Sequence, residues 1–398
     1  MTSNRKQTSL DAFATAKLNQ LEKSHARRFL TTTHRQPNAR LEQNQTTDAL
    51  ISFSCNDYLG LSHHPEVIEA AQLATQNYGT GAGASRLITG NHPLFGELET
   101  LLAKLKGTQD CLIFGSGYLA NIGIIPAFCG PQDLIIVDEL AHACIHAGGK
   151  LSGAKLIQFK HNDMNDLEHQ LKTHRTDFDK CLLVTDGVFS MDGDLANLPV
   201  MRQLADKFHA WLMTDDAHGL GVVGQGRGSA HAFGAAVPVE LQMGTLSKAV
   251  GGYGGYVCAS RAVCEFLRNR ARSLVFSTGL APMNIAAAIA ALHIIKRDPA
   301  LCARPQQKAA LFCENLGLAP PQSPIVPIIF RTNEAVLKAS EELKMKGFLV
   351  SAIRPPTVPE NTARLRFAFS AAHQDADILR LAEAVASMGF TALNFESE

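Results

Sequence analysis

Lys248 lies in Thr245-Leu-Ser-Lys-Ala-Val-Gly-Gly-Tyr-Gly-Gly, among small and apolar neighbours. Burial there would lower the amine's pKa and make it a nucleophile or a base. The competing reading is a surface lysine in a flexible loop. Asp215 and His218 lie in Thr-Asp-Asp-Ala-His-Gly, directly after the apolar run Trp211-Leu-Met. A carboxylate there can pair with a heteroaromatic ring nitrogen and keep it protonated, so that the ring becomes an electron sink. An imidazole three residues on can reach a phenolic oxygen of the same ring. A strand-end turn with an N-cap explains one Asp, but not Asp-Asp-Ala-His-Gly followed by Leu-Gly-Val-Val-Gly.

Four further places carry weaker signals. Phe114-Gly-Ser-Gly117-Tyr118-Leu-Ala120-Asn is a Gly-rich turn opening a helix, where backbone N–H groups bind phosphate. The same residues fit Gly115-x-Gly117-x-x-Ala120 with Asp138 ending the next strand, a passable dinucleotide fingerprint. His142, just past that strand, could stack on a cofactor ring or be a packed polar residue. His142 and His146 have the spacing of two metal ligands on a helix, but Ala143 stands where a metalloprotease needs Glu, and no metal is expected. Ser190, in Asp-Gly-Val-Phe-Ser-Met-Asp-Gly-Asp, could hydrogen-bond a cofactor or simply make a turn. Arg354, in Ala-Ile-Arg-Pro-Pro-Thr357, is a guanidinium beside two prolines, suited to bidentate capture of a carboxylate or exposed in an edge loop.

These residues need elements to hold them at one place. Short apolar runs at 111–114, 134–138, 155–159, 181–186, 211–215, 239–243, 255–259 and 274–276 alternate with helical patterns. Continuous apolar strands between helices imply a mostly parallel sheet covered on both faces, hence an α/β fold with ligands at the carboxyl ends of the strands. The spacing predicts helices at 10–30, 65–78, 93–106 and 281–296, with a polar linker or hairpin at 31–48. Strands at 325–330, 348–353 and 363–370 and helices at 334–346 and 375–388 predict a smaller α+β domain. The expected division is an N-terminal helix and arm at 1–50, a large domain at 51–290 and a small C-terminal domain at 291–398.

The 398 residues are 46% hydrophobic, enough for a sizeable core. Lys plus Arg and Asp plus Glu number 37 each, so no general field draws the chain to nucleic acid or an anionic membrane. No apolar run has the length of a signal peptide or a membrane span. Nine scattered cysteines, mostly inside apolar runs, read as reduced thiols and a cytoplasmic protein.

The succession Gly-Tyr, His, Ser, Asp-x-x-His and Lys resembles the fold-type I pyridoxal-phosphate enzymes. Thr-Asp-Asp-Ala-His-Gly-Leu-Gly, Gly-Thr-Leu-Ser-Lys, Gly-Val-Phe-Ser-Met-Asp-Gly-Asp and Ser-Phe-Ser-Cys-Asn-Asp-Tyr-Leu-Gly-Leu-Ser-His-His-Pro resemble the α-oxoamine synthases across nearly the whole chain. That family joins an amino acid to an acyl thioester with loss of carbon dioxide. The resemblance implies pyridoxal 5'-phosphate on Lys248, with Lys248, His142 and Asp215 as the catalytic set. Asp215 would face the ring nitrogen, His218 and Ser190 the phenolic oxygen, and His142 the ring face. Gly117 and Tyr118 would offer backbone N–H groups, Thr245 would hold the phosphate, and Thr278 would reach the phosphate of a neighbouring subunit in a homodimer. The segment from Ala352 to His373 points to the branch that uses L-alanine and a pimeloyl thioester, on a carrier protein or coenzyme A. Arg354 would then bind the alanine carboxylate with Asn56 beside it, Thr357 would line the substrate pocket, and Arg28 would meet the far end of the acyl chain, Arg27 being the alternative. Phe95 departs from the family, standing where many relatives have a His. Rival readings are another α-oxoamine synthase, such as a glycine C-acetyltransferase, and a nicotinamide dehydrogenase, which leaves Lys248, Asp215 and His218 without work.

Overall fold

The computed structural model of the chain describes residues 9–24, 26–44 and 49–389. Its largest sheet has seven strands, in the order Asp110–Phe114, Gly255–Ala259, Leu241–Thr245, Trp211–Asp215, Cys181–Asp186, Leu134–Asp138 and Lys155–Phe159. Gly255–Ala259 runs antiparallel to both neighbours, and every other adjacent pair is parallel. The central strands are buried along their whole length, which is why they read as unbroken apolar runs. Helices cover both faces and seal separate apolar clusters, one around Ile135, Val184 and Met213, another around Leu134, Leu183 and Leu212.

By compactness the chain falls into two units, Met1–Gln36 with Arg40–Ser54 and Pro327–Phe367, and Pro37–Ala39 with Cys55–Val326 and Ala368–Glu398. These are not three consecutive blocks of sequence. In the smaller unit Phe348–Leu349 pairs in parallel with Leu50–Ser52, through Phe348 opposite Ile51. Leu50–Ser52 in turn pairs with Arg40–Gln43, and that strand with Thr33–Arg35. The polar stretch after the first helix is therefore a hairpin. The strand expected at 348–353 is two pieces, the second of which, Ser351–Ile353, joins Ala363–Ala368 and Ile325–Arg331 in a three-stranded sheet.

Three expectations need correction. The first helix is Leu10–Lys23 rather than 10–30, closed by Ser24, whose hydroxyl bonds back to Gln20 and Leu21 carbonyls. The run at 274–276 belongs to a short helix, Arg272–Val275, because Leu274 and Val275 both turn back to bond the Ala271 carbonyl. The strand expected at 239–243 lies two residues later, at Leu241–Thr245, with Val239 left in the irregular run after Pro238 and a bend at Glu240. Helix Pro299–Leu316 was missed: Pro305 and its polar residues hide the period.

Next to the site strand, Asp216 and Lys106 form an ion pair at 2.6 Å, with side chains 0% and 1% exposed. Lys106 also donates to the Arg227 carbonyl, and Asp216 accepts the Ser229 N–H. Removing one partner strands a buried charge, which typically costs about 3–5 kcal/mol. Asp216→Asn and Lys106→Met should each lower the urea unfolding free energy by about that much, and the double variant by clearly less than their sum. Additive losses would mean that the two charges do not depend on each other.

Candidate active site

Every parallel strand of the large sheet ends on the same edge, and there the side chains change from apolar to polar. Asp138, Asp186, Asp215 and Thr245 are the last residues of four such strands, and Phe114 ends a fifth. Lys248, His142, Asp215, Gly117, Tyr118, Ser190, His218 and Thr245 all line one cavity of about 190 Å³ at this edge. Ser116, Cys144, Asp186 and Ser247 complete its polar wall.

Local chain geometry explains each placement. Gly255 lies where the turn before helix Gly117–Phe128 crosses the sheet: a Cβ there would stand 2.3 Å from the Ser116 carbonyl oxygen. Ser116 caps the helix by accepting the Leu119 N–H at 3.2 Å, and the first turn leaves N–H groups free for an anion. Thr245 donates to the Gly254 carbonyl at 2.8 Å and stands 2.8 Å from Ser247 Oγ. His142 caps the next helix, Ala143–Ser152, its Nδ1 accepting the Cys144 N–H at 3.3 Å and lying 2.7 Å from Cys144 Sγ. That leaves Nε2 to carry the proton of the neutral ring. Burial pushes the His142 imidazole below its usual range; Asp215 opposes the fall and Lys248 adds to it. A neutral imidazole is the form suited to lie against an aromatic ring. Burial, reinforced by Asp215, pushes the Cys144 thiol up to about 12, so it stays protonated.

Asp215 is held at both oxygens: Asn121 Nδ2 donates to Oδ2 at 2.7 Å and the Ala217 N–H to Oδ1 at 3.0 Å. His218 is buried, with Nδ1 2.7 Å from the Tyr58 hydroxyl, which lies 3.3 Å from Asn56 Oδ1. The loop carrying Ser190 is tied down at its base. The Phe189 N–H donates to the Asp194 carbonyl, and Gly193, at φ +80°, packs where a Cβ would stand 2.2 Å from the Ile325 carbonyl oxygen. His161 joins this base to the strand ends, its Nδ1 3.0 Å from Asp138 and its Nε2 3.0 Å from Asp194.

Not every candidate lines the cavity. Asn56 is not among its lining residues and is linked to it through Tyr58 and His218. Thr278 is exposed and bridges to Ser85 in backbone pairing. Arg28, Arg354 and Thr357 lie in the smaller unit. There Arg28 Nη2 donates to Thr357 Oγ1 at 2.8 Å, and burial followed by the Arg28 charge pulls the Arg354 pKa down. Two neighbouring guanidinium groups make a place where an anion is stabilised. Sequence reasoning missed Tyr58, Asn121, Cys144 and Asp186. Asn121 ends one quoted motif, and Asp186 opens another and ends a strand, which is the position where ligands gather.

The donor set fits pyridoxal phosphate. It supplies an amine, a carboxylate with both oxygens fixed, a neutral imidazole, and hydroxyls beside a helix N-terminus for a phosphate. Among the described residues no group of three or more His, Cys, Asp or Glu is placed to hold a metal ion. The combination of sheet and cavity is that of a fold-type I pyridoxal-phosphate enzyme. The model of the family Aminotransferase class I and II matches residues 48–385. An 8-amino-7-oxononanoate synthase of Maricaulis maris is 57% identical over 384 residues, 96% of this chain and 97% of that protein. Among solved structures, serine palmitoyltransferase from S. paucimobilis with bound PLP and myriocin matches with TM-score 0.89 and 28% identity, covering 96% of this chain and 100% of that one. An 8-amino-7-oxononanoate synthase from Francisella tularensis matches with TM-score 0.73 and 27% identity, over 88% and 99% of the two chains. The chain belongs to the class I and II aminotransferase family, in the branch formed by the 8-amino-7-oxononanoate synthases.

Two outcomes test the supports of the site. Burial alone would depress the His161 imidazole, but Asp138 and Asp194 outweigh it and hold its pKa at about 10, against an ordinary 6.5. A raised folded value means that the stabilisation is full below about pH 6.5 and fades as pH rises through about 10. His161→Gln should therefore be most destabilising near pH 6 and least near pH 10; a loss constant across that window in urea midpoints would rule out the imidazolium as the stabilising species. Tyr58→Phe should cost about 0.5–1.5 kcal/mol and change the ¹⁵N tautomer pattern of His218, whereas unchanged ring signals would show that Tyr58 does not set the ring.

Proposed function

We propose that this protein condenses L-alanine with a pimeloyl thioester, on coenzyme A or a carrier protein, with loss of carbon dioxide to give 8-amino-7-oxononanoate. The observation that carries the reading is the meeting of Lys248, Asp215 and His142 in one cavity of a chain alike, end to end, to synthases of that name. When bound, pyridoxal phosphate supplies a ring that accepts electrons from the substrate's Cα. The chain's own residues do the rest. Lys248 Nζ holds the cofactor and, once released, takes and returns the proton at Cα. Asp215 keeps a negative charge at the ring nitrogen, supported by Asn121. His142 covers one ring face and excludes water. His218 and Ser190 hold the phenolic oxygen, and Gly117, Tyr118 and Thr245 the phosphate end. Arg354 takes the alanine carboxylate, with Asn56 as a further contact, and Thr357 and Arg28 line the way of the acyl chain.

The working form is a homodimer in the cytoplasm, with Thr278 reaching the phosphate of the partner. Its support is the exposure of Ile88 and Phe276, 74% and 73%, near an outward-facing Thr278. Nine free cysteines fit a reducing compartment. Among the described residues no helix is long and apolar enough to cross a membrane.

The test is product analysis by mass spectrometry with L-alanine, glycine and L-serine in parallel, each with pimeloyl-CoA. Product from alanine, lowered by more than about 10²–10⁴-fold in Lys248→Ala, is expected, since that variant loses more than a proton shuttle. Preferential turnover of glycine or serine would keep the site and overturn the substrate.

A further inference from the structure

We propose that Asp186 is the proton-bearing member of a carboxyl pair with Asp215, so that the cavity presents a single carboxylate charge and that charge sits on Asp215. Asp186 and Asp215 are register partners at the ends of adjacent parallel strands. Such strands lie about 4.8 Å apart, and partnered side chains leave the same face. Both side chains line the cavity, and their residues are 4% and 5% exposed. The strand ends are tied, the Gly187 N–H donating to the Asp215 carbonyl at 2.7 Å. Two ionised carboxylates this close and this dry repel strongly, so one of them keeps its proton.

Hydrogen bonding decides which. Asp215 receives donors at both oxygens, from Asn121 and Ala217. Asp186 receives only the His142 backbone N–H, and its Oδ1 has no partner among the described residues. Donors stabilise the charged form, so the charge belongs on Asp215 and the proton on Asp186. The other titratable groups facing Asp186 are Lys248, whose positive charge favours its ionisation, Asp138, whose negative charge opposes it, and the Cys144 thiol, which stays neutral. Lys248 lines the same cavity as both carboxyls, and one cation can compensate only one of them. Burial first and Asp215 second push the Asp186 carboxyl up, in the direction the geometry requires.

Asp186 thus sets charge without spending it. A doubly negative wall would repel the anionic phosphate end of the cofactor, and would divide its pull on the ring nitrogen between two positions. A neutral carboxyl next to Asp215 leaves one undivided charge. The purpose rests on the pyridoxal-phosphate reading; the proton assignment concerns the bare chain.

The test is ¹³C NMR of aspartate carboxyls in cofactor-free protein, with Asp186→Asn to assign the Asp186 signal. A protonated Asp186 beside an ionised Asp215 at neutral pH is expected, and in Asp215→Asn the Asp186 carboxyl should ionise at lower pH. An ionised Asp186 in the unaltered chain, or a titration that Asp215→Asn leaves unmoved, overturns the pair. If Asp215→Asn does not fold, calorimetry of pyridoxal phosphate binding in buffers of different ionisation enthalpy takes its place. The unaltered chain and Asp186→Asn should exchange the same number of protons, and a difference of a whole proton refutes the assignment. Failure of the cofactor reading would look different, as no binding heat in either protein with the NMR result intact.

Discussion

A row of carboxylates at the edge of a dry sheet is the constraint from which the rest of this structure follows. Parallel strands end together, and Asp138, Asp186 and Asp215 end three that are adjacent. An unpaired ionised carboxylate in such a place is very costly. Each one is compensated by a separate device. Asp138 takes the N–H groups of Leu140 and Asn162 and the ring of His161. Asp215 takes Asn121 and Ala217. Asp216, one residue further on, takes Lys106 and Ser229. Asp186, with the fewest donors, keeps its proton on our reading. Several of the compensating groups, Asn121, Lys106 and His161 among them, come from segments distant in sequence, so satisfying the carboxylates also fixes where those segments lie.

Function is built on the same ties. The imidazolium of His161 links the strand end at Asp138 to Asp194, and Asp194 closes the turn that carries Ser190. Asn121 arrives on the helix whose N-terminus offers its N–H groups at Gly117 and Tyr118. On our proposed reading, the residue that steadies the ring-nitrogen charge and the N–H groups for the phosphate therefore ride on one helix. Its close approach to the sheet is possible because residue 255 has no Cβ. Preorganisation here is a by-product of neutralising buried charge.

How much of this the sequence disclosed follows from range. Strands such as Leu134–Asp138 and Cys181–Asp186 announce themselves, because burial on both faces demands an unbroken apolar run. The residues just past them, Asp215, His142 and Ser190, inherit their visibility. Tyr58 and Asn121 do not: they meet His218 and Asp215 across 160 and 94 residues, and no local pattern encodes such a contact. The run at 274–276 looked like a strand because Leu, Val and Phe suit one. The Ala271 carbonyl captured its N–H groups instead, and three residues have too little alternation to tell the two apart. Helix Pro299–Leu316 failed for the opposite reason, since its apolar stripe is narrow and Pro305 interrupts it.

Phe95, where the resemblance leads one to expect a histidine, serves the scaffold rather than the cavity. Its ring is buried in the large unit, 4.6 Å from the ring of His92, with the Arg86 guanidinium stacked 3.9 Å from its centroid. Arg86 grips Glu99 with both arms, at 2.6 and 3.2 Å, and Glu99 accepts the Ile113 N–H of the strand that leads to helix Gly117–Phe128. A phenyl ring supplies a face for the cation and asks for no hydrogen-bond partner, which a histidine in the same core would need. Phe95 is thus an apolar support inside the scaffold, at a residue that does not line the cavity. Lys248, Asp215, His142 and the other cavity-lining residues belong to that unit, whereas Arg28, Arg354 and Thr357 are carried by the other. On our proposed reading, the residues for the cofactor and most of those for the substrate are therefore carried by different units, with Asn56 in the cofactor's unit.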